Sequence, residues 1–296
     1  MPSSTSDFTV AVNDVLYVDR WGISTLSDFT TTVNIQVWNQ SPQPIYVKAV
    51  INDSNGNWKF DDGTTAKQLG EVRGFDYANF KATLKRAVPS SDIEDEQFTI
   101  TFEFYKDSSY SQKVDQISKT IKTNIIDFHA SPSGWTVSIN DFDDGKDGGW
   151  SGDFSVSNTA SVKSNGYSMY YYLSGTTATK LPYISKSISV PSGVSKATLI
   201  FYYGAHLFSG WNGHYARLNY VRVYINGVKV YEDHIDAKVD YDPTHKYIGW
   251  NQVGIDLTPY AGQDITIKIE FEEKLDYSSV MYIKTAVDEI IFATKQ

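Results

Sequence analysis

The chain has 296 residues, a net charge of −9 and no cysteine. This length allows two domains, and the lack of cysteine excludes disulfide bonds. Acidic and basic side chains are spread evenly along the sequence, which argues against a nucleic-acid partner. No apolar run approaches the roughly 18 residues that a membrane-spanning helix needs.

The first residues of the chain, 1–6, are polar and are predicted to form a flexible N-terminus. They lack the basic and apolar regions of a signal peptide. The sequence therefore leaves four alternatives open. The chain is retained in the cytoplasm, is assembled into a particle, is exported by another route, or has lost a leader.

Residues 7–126 are predicted to form an immunoglobulin-like β-sandwich, because short alternating segments recur there between polar turns. In the best of them, Val33, Ile35 and Val37 share one face. The segment 30–51 resembles the start of the adhesion modules of the CARDB type. The predicted strands are 8–12, 30–39, 45–51, 75–84, 98–105 and 118–126.

Small residues and proline cluster in 127–134, and the strand pattern restarts beyond that segment. We predict a linker at 127–134 and a second β-sandwich at 135–296. No convincing helix of ten or more residues is predicted.

Several motifs follow one another between residues 142 and 292. An acidic, glycine-rich segment ends at Trp150, and Asn226-Gly227 is typical of a type I′ hairpin turn. The segment 249–271 reads as strand, turn, strand, and the last strand contains Asp288. Alternation predicts one buried face, formed by Ile265, Ile267, Ile269 and Phe271.

The order and spacing of these motifs resemble the MAM-like and carbohydrate-binding-module-like jelly-roll domains, which have a galactose-binding-like fold. The resemblance covers about half the chain and implies a jelly-roll sandwich that recognises a ligand. It also implies a structural Ca²⁺ that bridges the first and last strands, with Asp141, Asp143 and Asp288 as the ligands. The alternative is a solvated acidic turn.

The aromatic-rich stretch 202–215 is predicted to be a long loop between two strands, where binding residues concentrate. Flat rings stack on the apolar faces of sugars, and polar side chains then fix the hydroxyl groups. The predicted ligand-binding residues are Trp211, Asn212, His214 and Tyr215. Contact with a protein and packing within the loop remain alternatives.

Other aromatic residues are assigned structural roles. Trp250 occupies a motif position that is usually structural. Alternation along 169–173 places Tyr170 and Tyr172 together, on what we predict to be the half-exposed face of a strand.

Signatures of catalysis are missing from the sequence, so we expect no enzyme. Asp153 stands where a Gly-x-Ser-x-Gly elbow needs its last glycine. The five histidines form no His-Glu-x-x-His pattern. Glu270 and Glu272 share one strand face, which we predict to be solvated rather than a glycosidase pair.

The sequence thus predicts an all-β protein with an immunoglobulin-like sandwich followed by a jelly-roll. The first functional hypothesis is a non-catalytic surface protein that binds a carbohydrate or a host-surface polymer. One alternative is a structural subunit of a virus particle (spike, turret or fibre) or of a surface layer. Another is an accessory region of a secreted hydrolase. The expected partner is a glycan or a surface protein, with assembly into a homo-oligomer or particle left open, on an extracellular surface or in a virion.

Overall fold

The computed structural model describes residues 7–23, 28–158, 163, 166–175, 177–210, 214–240, 242–276 and 281–296, with only the backbone at 240 and 242–244. The chain divides into a first unit, Met1–His129, and a second unit, Ala130–Gln296. The boundary falls inside the segment predicted as the linker. Within the described part of the chain, no helix is long and apolar enough to cross a membrane.

The first unit consists of strands and ends in a short 3₁₀ helix, Phe128–Ala130. Its strands are β1 (Phe8–Val12), β2 (Val15–Asp19), β3 (Asp28–Asn39), β4 (Ile45–Asn52), β5 (Lys59–Phe60), β6 (Ala66–Val72), β7 (Asp76–Ala87), β8 (Ile93–Tyr105) and β9 (Lys113–Ile126). Each predicted strand overlaps one of these, and β2, β5 and β6 were not predicted.

Two sheets face each other in the first unit. One has the order β1-β3-β7-β5 and the other β2-β9-β8-β4-β6, with β2 parallel to β9. The two sheets enclose one apolar core and form a β-sandwich. The predicted face of Val33, Ile35 and Val37 is confirmed, since all three are buried in the core between the sheets.

The second unit is also built of strands, with one further 3₁₀ helix at Thr258–Tyr260. Its strands are β10 (Trp135–Asn140), β11 (Ser151–Gly152), β12 (Ser155–Ser157), β13 (Ser168–Ser174), β14 (Ala178–Lys180), β15 (Tyr183–Ser189), β16 (Lys196–Ser209), β17 (Tyr215–Ile225), β18 (Val228–Asp240), β19 (Asp242–Asp256), β20 (Asp264–Leu275) and β21 (Met281–Lys295).

Two six-stranded sheets form the sandwich of the second unit. The front sheet has the order β12-β13-β21-β16-β19, with β10 also paired to β21. The back sheet has the order β11-β15-β20-β17-β18, with β14 also paired to β20. The hairpin at Asn226-Gly227 is confirmed, and both residues have the positive φ of a type I′ turn.

The segment 249–271 is not a hairpin. β19 pairs with β16 in the front sheet, whereas β20 lies in the back sheet, so the connection through Thr258–Tyr260 crosses from one sheet to the other. The predicted buried face of β20 is confirmed, because its apolar side chains are at most 1% exposed. Alternation therefore identified the strand and its inner face but not its pairing partner.

The predicted linker begins too early. Phe128 is 1% exposed, and its backbone N–H donates to Oδ1 of Asp19 at 3.2 Å. Residues 127–129 therefore belong to the first unit. Ala130, Ser131, Ser133 and Gly134 are exposed.

We expect a nonspecific protease to cut first between residues 130 and 134. Backbone in this stretch is accessible, and each unit has its own apolar core. Mass spectrometry of the limit digest should find two resistant fragments that meet at this stretch. A digest in which 130–134 stays intact while strands are cleaved would contradict the division into two stable units.

Candidate functional site

The outer face of the front sheet, opposite the core of the second unit, carries a continuous group of aromatic side chains. We call it the aromatic face. It comprises Tyr170 and Tyr172 on β13, Tyr282 on β21, His206 and Phe208 on β16, and His245, Tyr247 and Trp250 on β19.

Strand alternation turns these side chains outward. On β13, Met169 and Leu173 point into the core, so Tyr170 and Tyr172 lie on the opposite side. The predicted faces of this strand are confirmed. On β16, the core residues Ala205 and Leu207 similarly flank His206.

The pairing register aligns four of the strands across the aromatic face. Tyr172 is opposite Lys284, Lys284 is opposite His206, and His206 is opposite Tyr247. Neighbouring strands lie about 4.8 Å apart, so this row is about 14 Å long. It exceeds the width of a single sugar ring.

The rings of the aromatic face contact one another, some stacked and others tilted. The ring centroids are 4.2 Å apart for His206 and Tyr247, and 5.2 Å apart for Phe208 and Tyr282. The rings of Tyr172 and Tyr282 are 5.9 Å apart. These contacts hold the rings in a common surface even where they are exposed.

A groove with a volume of about 210 Å³ runs beside this row. Small residues, Gly204 and Ala286, are paired with each other in its floor. Opposite Gly204, β19 has one extra residue, and this β-bulge brings the Trp250 ring over the glycine. The lining residues are Tyr170, Gly204, Ala205, His206, Tyr247, Ile248, Gly249, Trp250, Lys284 and Ala286.

Electrostatics favour neutral rings on this face. Burial lowers the pKa of His206, and the nearby His245 and Lys284 add to the effect. Burial likewise raises the pKa values of Tyr170 and Tyr282. The Lys284 ammonium group lies beside these rings, 5.1 Å from the centre of the Tyr282 ring.

The structure overturns the long loop predicted at 202–215. β16 continues to Ser209 and β17 begins at Tyr215, so most of that stretch is strand. Alternation within 202–209, which the sequence already contains, would have identified His206 and Phe208 as outward-facing side chains. Two of the predicted binding residues, Trp211 and Asn212, lie outside the described residues.

The other two predicted binding residues are not part of the aromatic face. Tyr215 begins β17 in the back sheet, and its N–H donates to Oδ1 of Asp276 at 2.6 Å. Nδ1 of His214 lies 3.7 Å from Oδ2 of the same aspartate. The ammonium groups of Lys238 and Lys274 lie over the Tyr215 ring.

The three carboxylates predicted to bind Ca²⁺ accept backbone N–H groups in this structure. Among the residues that the structure describes, no group of three or more His, Cys, Asp or Glu could hold a metal ion. The buried Asp288 accepts N–H groups from Lys163 at 2.8 Å and from Glu289 at 2.8 Å, while Asp141 accepts the N–H of Asp143 at 3.2 Å. Calcium binding therefore stays a proposal from the sequence resemblance, to be tested by melting with and without EDTA.

The carboxylates of β20 are not the solvated pair that the sequence predicted. Glu270 is 5% exposed, and its Oε1 lies 3.7 Å from Nη1 of Arg222. Glu272 accepts Nη2–H of the same arginine at 3.0 Å, and Glu232 accepts its Nε–H at 2.7 Å. Three carboxylates thus surround one guanidinium group on the back sheet.

No protein-family model matches the chain, and no curated protein sequence matches it significantly. The chain is similar to the carbohydrate-binding module CBM27-1 of Caldicellulosiruptor saccharolyticus, solved with mannohexaose, at TM-score 0.36 and 10% identity, covering 53% of this chain and 96% of that one. It is also similar to the tandem CBM22-1-CBM22-2 modules of Paenibacillus barcinonensis Xyn10C, at TM-score 0.30 and 11% identity, covering 99% and 94%. The CARDB-type resemblance of the first unit stays a prediction.

Proposed function

We propose that the second unit binds a carbohydrate chain along the aromatic face. The observation that carries this proposal is the aligned row from Tyr172 to Tyr247, which borders a groove floored by Gly204 and Ala286. Sugar rings have apolar faces that stack on flat aromatic side chains. The small floor residues leave room for a ligand to approach the sheet closely.

The exposure of the rings supports stacking with an extended ligand. Tyr247 is 66% exposed and Tyr172 is 48% exposed, at opposite ends of the row. Between them, His206 and Lys284 offer polar groups that can hydrogen-bond to hydroxyls. An arrangement of apolar surface with a few convergent polar groups is the usual composition of a ligand site.

The chemistry of the groove favours binding without hydrolysis. Glycosidases need two carboxyl groups on either side of the scissile bond. The described residues that line the groove include no Asp or Glu. We therefore infer that the second unit is a recognition module. Its ligands are neutral or anionic glycans, and the Lys284 ammonium group supplies the positive charge that attracts an anionic one.

Tyr247→Ala and Tyr172→Ala are each expected to weaken polysaccharide binding by about 1–3 kcal/mol, the usual cost of losing an aromatic anchor. Both rings are exposed, so the melting temperature should change little. Isothermal titration and affinity electrophoresis with soluble mannan, galactan and cellulose derivatives measure the effect.

Tyr183→Ala is the matched control, because this tyrosine is 36% exposed but lies on β15 of the back sheet. It should leave binding unchanged. Ala286→Leu should reduce binding by filling the groove floor. Equal losses for Tyr183→Ala and Tyr247→Ala, or no polysaccharide binding by the wild type, would contradict the proposal.

The structural-subunit hypothesis also has an observation in its favour. In the first unit, Trp38 and Tyr77 stack at 5.7 Å on paired strands and are 43% and 49% exposed, and the nearby Phe75 is 70% exposed. Exposed aromatic patches of this kind often mark association surfaces. Self-association that depends on Trp38, measured by sedimentation, together with no glycan binding, would favour a particle subunit over a recognition module.

A further inference from the structure

Three ligating atoms converge at one end of the aromatic face. Nε2 of His206 lies 2.9 Å from Nδ1 of His245. The hydroxyl oxygen of Tyr282 lies 3.4 Å from the first nitrogen and 3.2 Å from the second. Three different strands, β16, β19 and β21, supply the three corners of this triangle.

The triangle has the dimensions of a metal site. Imidazole nitrogens bind transition metals at about 2.0–2.1 Å. Two nitrogens 2.9 Å apart then subtend an angle of about 90° at a shared ion. A tetrahedral ion such as Zn²⁺ would need the nitrogens about 3.3 Å apart.

We propose that His206, His245 and Tyr282 form a binding site for a divalent transition metal that prefers 90° geometry, with Cu²⁺ favoured over Ni²⁺ and Zn²⁺. Nitrogen and oxygen ligands in a tetragonal arrangement are typical of Cu²⁺ and Ni²⁺, and Cu²⁺ has the highest affinity in the divalent series. The two imidazoles would occupy adjacent equatorial positions, and the Tyr282 oxygen, 3.4 and 3.2 Å from the two nitrogens, would lie in an apical position beside both. Water fills the remaining positions.

Neighbouring rings hold both histidines in place. Stacking fixes both rings, since His206 packs on Tyr247 at 4.2 Å and His245 packs on Phe208 at 4.8 Å. His245 is exposed, so an ion can enter from solvent.

One neighbouring charge opposes the ion. Lys284 is opposite His206 in the sheet, so its ammonium group lies on the same face, beside the proposed site. A bound cation would be repelled by this positive charge. We therefore expect Lys284→Met to bind Cu²⁺ more tightly than the wild type does.

The test is titration of the full chain, without a polyhistidine tag, with Cu²⁺, Ni²⁺ and Zn²⁺ in separate calorimetric experiments. We expect one Cu²⁺ per chain and a paramagnetic resonance spectrum with coupling to two nitrogens. His206→Ala and His245→Ala should each weaken binding by about tenfold or more. Tyr282→Phe should weaken it less, because both nitrogens remain.

His234→Ala is the matched control, because His234 stacks on Tyr220 in the back sheet, away from the triangle. It should bind Cu²⁺ as the wild type does. Far-ultraviolet dichroism and the melting curve confirm that each variant is folded. His245→Ala is the decisive variant if His206→Ala fails to fold, because His245 is exposed.

Three results would overturn the proposal. The first is that the wild type binds Cu²⁺ no more tightly than His245→Ala does. The second is that His234→Ala loses as much Cu²⁺ affinity as His245→Ala. The third is that the wild type binds Zn²⁺ more tightly than Cu²⁺. The proposal does not depend on carbohydrate binding. Polysaccharide titrations of the metal-free protein test the carbohydrate proposal separately, so failure of one can be distinguished from failure of the other.

Discussion

Glu273→Gln is expected to stabilise the second unit progressively as the pH rises from about 4.5 towards 8, the interval between the ordinary and the raised pKa of this carboxyl group. Glu273 is fully buried between the two sheets. Its Oε1 accepts the hydroxyl of Thr285 at 2.5 Å. Its Oε2 has no hydrogen-bond partner among the described residues.

Burial raises the pKa of Glu273 to about 8, although the hydrogen bond from Thr285 acts in the opposite direction. The folded state therefore binds the proton more tightly than the unfolded state does. The stability that Glu273 contributes is fully present below pH 4.5 and is lost as the pH rises to about 8. Each pH unit within this interval lowers the free energy of unfolding by about 1.4 kcal/mol, so the whole interval lowers it by on the order of 5 kcal/mol.

Glutamine keeps the shape of the protonated side chain and cannot ionise. The variant and the wild type should thus be similar in stability near pH 4 and diverge above it. Urea unfolding at a series of pH values measures the difference. Parallel stability profiles for the two proteins between pH 4.5 and 8 would show that Glu273 does not retain its proton in the fold.

Glu232→Gln provides a comparison of opposite sign. Burial raises the pKa of Glu232, but hydrogen bonds from Lys229 and Arg222 more than offset it, so the pKa is lowered. The stability contributed by Glu232 is present above pH 4.5 and is lost as the pH falls through the lowered pKa. Glu232→Gln should therefore destabilise the protein at neutral pH and have no effect in acid. The destabilisation should be small, because the Glu232 side chain is 30% exposed.

Alternation in the sequence was enough to locate most strands and their inner faces. The face of Val33, Ile35 and Val37 is an example, and so is the outward position of Tyr170 and Tyr172. Glu273 could have been assigned to the core in the same way, because it follows Phe271 by two residues. Its residue type argues against that position, because carboxylates are almost never fully buried.

Pairing between distant strands could not be predicted from alternation. Tyr172 and Tyr247 belong to one row only because β13, β21, β16 and β19 are neighbours in the front sheet. The two-residue periodicity of a β-strand assigns each side chain to one face of the sheet. It does not identify the strand that pairs with it. The bulge opposite Gly204, which brings Trp250 over the groove, is likewise a property of the register. The sequence motif alone had indicated a structural role for Trp250.

Trp58→Ala is expected to destabilise the first unit by about 3–5 kcal/mol, the usual cost of removing a large buried aromatic side chain. Trp58 is 1% exposed and lies in the turn before β5, outside every predicted strand. Its ring stacks on Phe98 at 5.1 Å and meets the edge of Phe29 at 5.8 Å. Removing it leaves a cavity between the two sheets.

The substitution also disrupts a buried polar pair. The Nε1–H of Trp58 donates to Oε2 of Glu96 at 3.0 Å, and Arg86 donates to Oε1 of the same carboxylate at 2.9 Å. Arg86 is 6% exposed, and its guanidinium group lies 5.9 Å from the centre of the Trp58 ring. Loss of the ring thus removes one hydrogen bond to Glu96 and a contact that shields the ion pair.

Thermal unfolding should show the melting temperature of the first unit lowered by roughly 10–20 °C. Trp58→Phe should cost less, because it keeps an aromatic ring in the core and loses only part of the indole volume together with the donor to Glu96. Trp38→Ala is the matched control, since this tryptophan is 43% exposed on the surface of the same unit, and its removal should cost less than about 1 kcal/mol. If Trp58→Ala and Trp38→Ala cost the same, the stability of the first unit does not depend on the packing of Trp58 between Phe29 and Phe98.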